Sequence, residues 1–337
     1  MSSLAVAIIP QKSGDVVQQA IVKPPRKKEG HLKYIRKNWL LMAMLLPGLL
    51  VLLLNNYLPM FGVVLAFVRF KLSSGGFIHS LLTSPWTGFK NFEFFTKTTD
   101  AYVITRNTIL YNLSFIALNL LTSIPAAIGL SEMRNKRTAK FYQSSMFLPH
   151  FLSWVTVSYL VFSLLSMNLG FINKSILGAL GIAPVYWYNE PRYWPYIIII
   201  VQVWKTLGYN SVIYLAAITG INDEYYEAAV IDGAGKFKQS IYITIPELIP
   251  LMITLTLLQL GRIFNADFGL FYQVPMNAGM LFPVTAVIDT YAYNALRVMG
   301  NTGMSAAVGL YQAVVGFVLV VSANLLVRKL DRDSALF

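Results

Sequence analysis

Apolar runs of twenty or more residues recur along this chain, separated by short stretches rich in polar residues, glycine, proline and aromatics. A helix needs about 20 largely apolar residues to cross the hydrocarbon core of a bilayer. Six segments meet that length: 39–61, 107–130, 144–165, 194–219, 248–270 and 304–327. The first is able to run on to Phe70 as a long tilted helix, because 62–68 is also apolar, but it leaves no room for a second crossing. The pattern predicts an all-α integral membrane protein with six transmembrane helices.

Charge then sets the orientation. Only 12% of the 337 residues are charged, against about 25% in an ordinary soluble domain. With both termini cytoplasmic, eight Lys and Arg precede the first span, four lie in 134–140, Lys236 and Lys238 lie before the fifth, and Arg328, Lys329 and Arg332 follow the sixth. That is 17 of the 27, the bias of the positive-inside rule. Segments 73–100 and 168–193 then face outward, with the Gly, Pro, Trp and Tyr of interfacial loops. Segment 271–303 is a longer outer excursion in which 284–299 is a candidate short helix; Asp289 and Arg297 make it a poor span.

The net charge of +12 does not imply nucleic acid, because the basic residues cluster beside a span, where anionic lipid headgroups attract them. Residues 1–30 do not form a secretory signal and read as a cytoplasmic arm. There is no cysteine, and His31, His79 and His150 share no metal-ligand spacing, so no metal centre is expected. Pro47, Pro125, Gly208, Gly261, Gly309 and Gly316 fall within spans, where kinks and close helix packing explain them better than hinges.

Between the fourth and fifth spans, Asn222 is a good N-cap and Asp223, Glu224 and Glu227 place negative charge near the positive end of a helix dipole. Gly233 stands where a glycine ends a helix in the left-handed region. The spacing predicts about three helical turns, a glycine break, a second short helix and then Pro246. Ala228 and Ala229 leave a small-residue face that suits insertion into a partner's cleft.

The pattern Glu227-Ala228-Ala229, three residues, Gly233, nine residues, Ile243, one residue, Ile245-Pro246 resembles the signature of type I ABC importer permeases, which usually carry Leu before the proline. The runs Leu148-Pro149-His150-Phe151-Leu152-Ser153-Trp154, 213–222, 287–293 and 323–329 resemble the complex-carbohydrate branch of that family. Charge and apolar runs give a basic cytoplasmic arm over 1–38, a first transmembrane helix over 39–70 and a cytoplasmic tail over 329–337, and the resemblance, which covers roughly 106–329, implies a permease core over 104–328. It also implies a coupling loop at 220–246, in which Glu227, Ala228, Ala229, Asp232, Gly233, Ala234 and Pro246 dock a cytoplasmic ATPase. Its further implications are a bacterial inner-membrane location, a second homologous permease subunit, an ATPase dimer carrying ATP and Mg²⁺, an extracytoplasmic solute-binding protein and an oligosaccharide substrate.

Catalytic machinery is not expected. Gly233-Ala234-Gly235-Lys236 lacks the first glycine of a phosphate-binding loop, and Phe237 stands where Ser or Thr is required. No Gly-x-Ser-x-Gly or His-Glu-x-x-His occurs. Polar and charged residues inside spans are costly and point to function. Gln202, Lys205, Gln259, Arg262 and Asn265 are therefore candidates to line a polar route, against the alternative of buried structural pairs or snorkelling. Rival readings are a permease for an amino acid, phosphate or ion, and, from another class, a membrane glycan enzyme or a secondary carrier.

Overall fold

The computed structural model describes residues 38–330, so most of the expected basic arm and the last residues of the tail lie outside the described residues. Among the described residues the structure is helical, with one isolated antiparallel bridge between Val68 and Trp86. Among the described residues, five helices are long and apolar enough to cross a membrane, and six when one bent pair counts as a single span. The spans are α1 (Trp39–Phe67), α2 (Asp100–Ser131), the bent pair α3 (Lys136–Phe147) and α4 (Trp154–Leu165), α5 (Trp194–Ile218), α7 (Lys236–Leu260) and α10 (Thr302–Leu330). Shorter helices α6 (Asp223–Ile231), α8 (Phe268–Gln273) and α9 (Ile288–Arg297) lie between them.

The chain divides between Pro59 and Met60. In the first unit, the α-helical turn pattern widens to π over Leu53–Tyr57, two residues before Pro59. The same widening occurs over Ser240–Thr244, two residues before Pro246. Proline has no N–H to donate and its ring crowds the carbonyl four residues back. A π turn relieves that crowding locally, so each helix continues through its proline.

The second unit buries three apolar clusters. One joins Tyr111 of α2, Val157 and Val161 of α4, Trp194 and Ile198 of α5, and Leu270 of α8. Another joins Ile124 and Ala127 of α2, Tyr214 and Ile218 of α5, and Leu248 of α7. A third gathers Ile104, Phe264, Ile288 and Val308. Helices α2 and α5 thus share two clusters, one toward each end, and form the central pair. Outward-facing Leu, Val and Phe along the spans suit contact with lipid, as expected when hydrocarbon is the solvent.

Two expectations change. The third span is not straight: α3 and α4 meet at 100° across Leu148–Phe151. Pro149 starts the break, Leu152 and Ser153 are extended, and the Ser153 hydroxyl caps α4 by accepting from the Thr156 N–H at 3.1 Å. The fifth span begins earlier and ends sooner than 248–270, because the expected second short helix fuses with it at Lys236 and the helix stops at Leu260. Arg262 and Asn265 consequently stand on the turn beyond it. Segment 271–303 contains a short helix, α9, as expected within 284–299.

Candidate functional site

Two places collect the residues singled out from the sequence, one at the C-terminal end of α5 and one against its N-terminal half. At its C-terminal end, Asn222 caps α6 by accepting from the Glu224 N–H at 3.1 Å. At the other end of α6, Gly233 has φ +75°, the Gly233 N–H donates to Val230 O at 3.0 Å and the Ala234 N–H to Ala229 O at 2.8 Å. This pair of bonds is the Schellman closure, which satisfies carbonyls the helix would otherwise leave unbonded.

Among the described residues, the α6 segment is held from one side only. Tyr226 Oη lies 2.9 Å from Thr244 Oγ1, and buried Gln239 donates to Ala234 O at 2.9 Å. Lys236 pairs with Glu132 at the end of α2 at 2.9 Å. No residue of α6 is buried. Glu227, Ala228, Asp232 and Gly233 are exposed, Ala229 and Ala234 half-buried, and Pro246 lies exposed on α7. Beside them Ile231 is 87% and Phe237 79% exposed, an apolar surface that none of the described residues covers.

The other place is a cavity of about 410 Å³ among α2, α5, α7 and the turn after α7. Gln202, Gln259, Arg262 and Asn265 line it together with Asn112, and Phe115, Ile116 and Leu258 supply its apolar wall. Four of the five candidate pathway residues, distant in sequence, are thus brought to one space. Gln202 Oε1 is buried without a hydrogen-bond partner among the described residues. Among the described residues no carboxylate pairs with Arg262.

The turn that carries Arg262 is rigidly framed. Asn112 Nδ2 donates to Ile263 O at 2.8 Å and Asn265 O at 3.2 Å. Gln312 of α10 donates to Phe264 O, Asn265 Oδ1 and Asp289 Oδ1 at 2.8, 3.0 and 3.2 Å. Asp289 of α9 also accepts from the Ala266 N–H at 2.7 Å. Burial pushes the Asp289 carboxyl above the ordinary aspartate value, while those hydrogen bonds act in the opposite direction.

Lys205 stands apart from this cavity. Its ammonium donates to the carbonyls of Pro149, His150 and Leu152 at 3.3, 2.9 and 2.5 Å, and it lies 5.1 Å from the centroid of the Trp154 indole. Those carbonyls lie at the break between α3 and α4, where Pro149 O also accepts from the Leu152 N–H at 3.2 Å. The lysine holds the break together rather than facing the polar space.

Sequence reasoning passed over Asn112 and Gln312, although each is a polar side chain inside an apolar run and the cost of burying such a group was signal enough. Asp289 entered only as a mark against a membrane span, and its role in framing the turn needed the fold.

The arrangement can be set beside known proteins. The family described as "Binding-protein-dependent transport system inner membrane component" matches residues 101–332. The polygalacturonan/rhamnogalacturonan transport system permease protein YteP of Bacillus subtilis (strain 168) is 35% identical over 322 residues, covering 94% of this chain and 96% of that one. A chain in the crystal structure of a bacterial alginate ABC transporter in complex with an alginate pentasaccharide-bound periplasmic protein superposes with a TM-score of 0.78 at 30% identity. That match covers 90% of this chain and 98% of that one. A chain of a bacterial ABC transporter involved in the import of the acidic polysaccharide alginate gives 0.77 at 31%, covering 90% and 100%.

Proposed function

Since this chain belongs to the family of binding-protein-dependent transport system inner membrane components, we propose that it conducts an anionic oligosaccharide through the cavity lined by Gln202, Gln259 and Arg262. The chain is a permease subunit of an ABC importer, a multi-pass protein of the bacterial inner membrane, and not an enzyme.

One observation carries the substrate reading: Arg262 has no ion-pair partner among the described residues, in a cavity whose other polar groups are neutral amides. Amides suit hydroxyls, since each offers donors and an acceptor, and the unpartnered Gln202 Oε1 accepts from one. A guanidinium offers the planar fork that fits a carboxylate. The acidic polysaccharides handled by the similar proteins support a uronate-bearing chain.

The α6 helix docks in a groove on an ATPase subunit, with Glu227, Ala228, Ala229, Asp232, Gly233 and Ala234 at the contact and Pro246 fixing the following helix. Its capped ends and one-sided attachment support that role. The remaining partners are a second homologous permease subunit, which completes the pathway, a pair of ATPases that bind ATP and Mg²⁺, and an extracytoplasmic binding protein that delivers the saccharide. Both termini and the α6 segment then face the cytoplasm. Moving an alternating-access equilibrium from 1:99 to 99:1 requires about 5.5 kcal/mol of differential binding. The α6 contact is the route by which nucleotide supplies it.

The test is ATPase activity of the reconstituted transporter with its loaded binding protein. Uronate oligomers should stimulate it and neutral oligomers of equal length should not. Equal stimulation by both would remove the charged-substrate reading, and stimulation by neither would remove the carbohydrate reading.

A further inference from the structure

A second cavity, of about 440 Å³, opens at the end of α5 opposite to α6, where the segment between α4 and α5 folds back. Three aromatic residues in succession, Tyr186, Trp187 and Tyr188, line it with Phe162 and the amides Asn168 and Asn189. Nothing in the transport reading above uses it.

This cavity is a built site and not a gap between loops. Asn173, 5% exposed, donates to the carbonyls of Ser166, Met167 and Val185, each within 3.3 Å. Its Oδ1 accepts from the Val185 N–H at 3.1 Å and from Trp187 Nε1 at 3.0 Å. Trp194, fully buried at the start of α5, donates to Trp187 O at 2.6 Å. One buried amide and one buried indole therefore set the position of the aromatic run. Met276, also on the lining, has φ +54°, a left-handed conformation that an unbranched side chain adopts only where its surroundings require it.

Two features point to a ligand. Tyr188 Oη is buried without a hydrogen-bond partner among the described residues. Tyr186 is exposed, and its ring stacks on no other ring of the chain among the described residues. A sugar ring presents an apolar face of C–H groups that packs on an aromatic ring, with hydroxyls at its rim that reach amides and phenols. Flat aromatics interleaved with Asn fit that chemistry better than a lipid tail, which would leave the amides and Tyr188 Oη unpaired.

We infer that this aromatic cavity is an outer subsite that holds one pyranose unit of the saccharide chain while a more advanced unit occupies the Arg262 cavity. The inference rests on the transport reading and extends it to chain length. Gln202 follows Trp194 by eight residues on α5, about 12 Å along the axis. A disaccharide does not bridge that interval with a ring in each cavity; a longer chain does. The outer subsite is therefore a length selector.

The experiment measures transport by the complete transporter with its binding protein in proteoliposomes, using oligogalacturonides from dimer to hexamer. For the wild type, KM should fall as the chain lengthens beyond the dimer. Tyr186→Ala should abolish that fall, raising KM for the longest chains about threefold to tenfold with the dimer unchanged. Tyr186→Phe, which keeps the ring, should behave as the wild type and controls for assembly. Identical KM profiles for Tyr186→Ala and wild type would overturn the subsite and leave the transport reading standing. An equal loss at every length, dimer included, would overturn it too, since a dimer does not need a second site. A wild-type transporter that moves no oligogalacturonide of any length would overturn both.

Discussion

The ammonium of Lys205 lies 5.1 Å from the centre of the Trp154 indole, and the same indole donates from Nε1 to Asp267 at 2.9 Å. Through these contacts α5, the first turn of α4 and the cap of α8 meet at one ring. Cation–π attraction of this kind contributes about 0.5–2 kcal/mol. The three carbonyl bonds of Lys205 add charge-assisted hydrogen bonding in a place water reaches poorly.

Lys205→Met should therefore destabilise the subunit by about 2–5 kcal/mol, because carbonyls at the break lose their donor. Lowered thermal stability in detergent, with substrate selectivity unchanged in whatever folds, is the expected result. Altered selectivity at wild-type stability would instead put Lys205 in the pathway.

Gly208 tests the packing of α5 against the end of α3. A Cβ on Gly208 would stand 2.0 Å from Met146 O, which is backbone and unable to step aside alone. Gly208→Ala should cost about 1–3 kcal/mol through helix separation. Thermal denaturation of the purified transporter reads this, and a neutral effect would mean that the two helices do not approach so closely.

At α6, the helix proposed to dock the ATPase, two substitutions separate folding from coupling. Gly233→Val meets φ +75° and should cost about 1–2 kcal/mol at that position and disturb the end of α6. Ile231→Asp changes an 87% exposed side chain and should leave subunit stability within about 0.5 kcal/mol. Co-purification of the ATPase should nevertheless fall sharply for Ile231→Asp. Undiminished co-purification and substrate-stimulated ATPase would move the docking contact away from α6.

Much of this architecture was readable from the chain because membrane burial leaves a strong linear signal. Length of apolar run located the spans, and Asn222 and Gly233 marked both ends of α6, each through a local rule of helix termination. What escaped was set by interactions distant in sequence. Pro149 and Ser153 carried the information for the 100° bend, but an apolar run of adequate length conceals a break inside it. Lys205 looked like a pathway residue because its acceptors, main-chain carbonyls some fifty positions earlier, are invisible in sequence. Arg262, Gln202, Gln259 and Asn265 do share one cavity, yet the residues that frame their turn come from α2, α9 and α10.

That frame makes Asp289 a positioning residue. Asp289→Asn keeps an acceptor for the Ala266 N–H and should retain most transport. Asp289→Ala leaves that N–H and one bond of Gln312 unmet and should raise KM for the saccharide several-fold, at a stability cost of about 1–3 kcal/mol. Equal behaviour of the two variants would show that the turn holds without the carboxyl oxygen.

The charge on Arg262 carries the account of what is transported, so its removal is the most direct measurement. Initial transport rates of a uronate oligomer and a neutral oligomer of equal length are compared in proteoliposomes for the wild type and Arg262→Gln. The expected result is a preference for the uronate that falls by about tenfold or more in the variant, with neutral transport unchanged or improved. An unaltered preference in Arg262→Gln would contradict it.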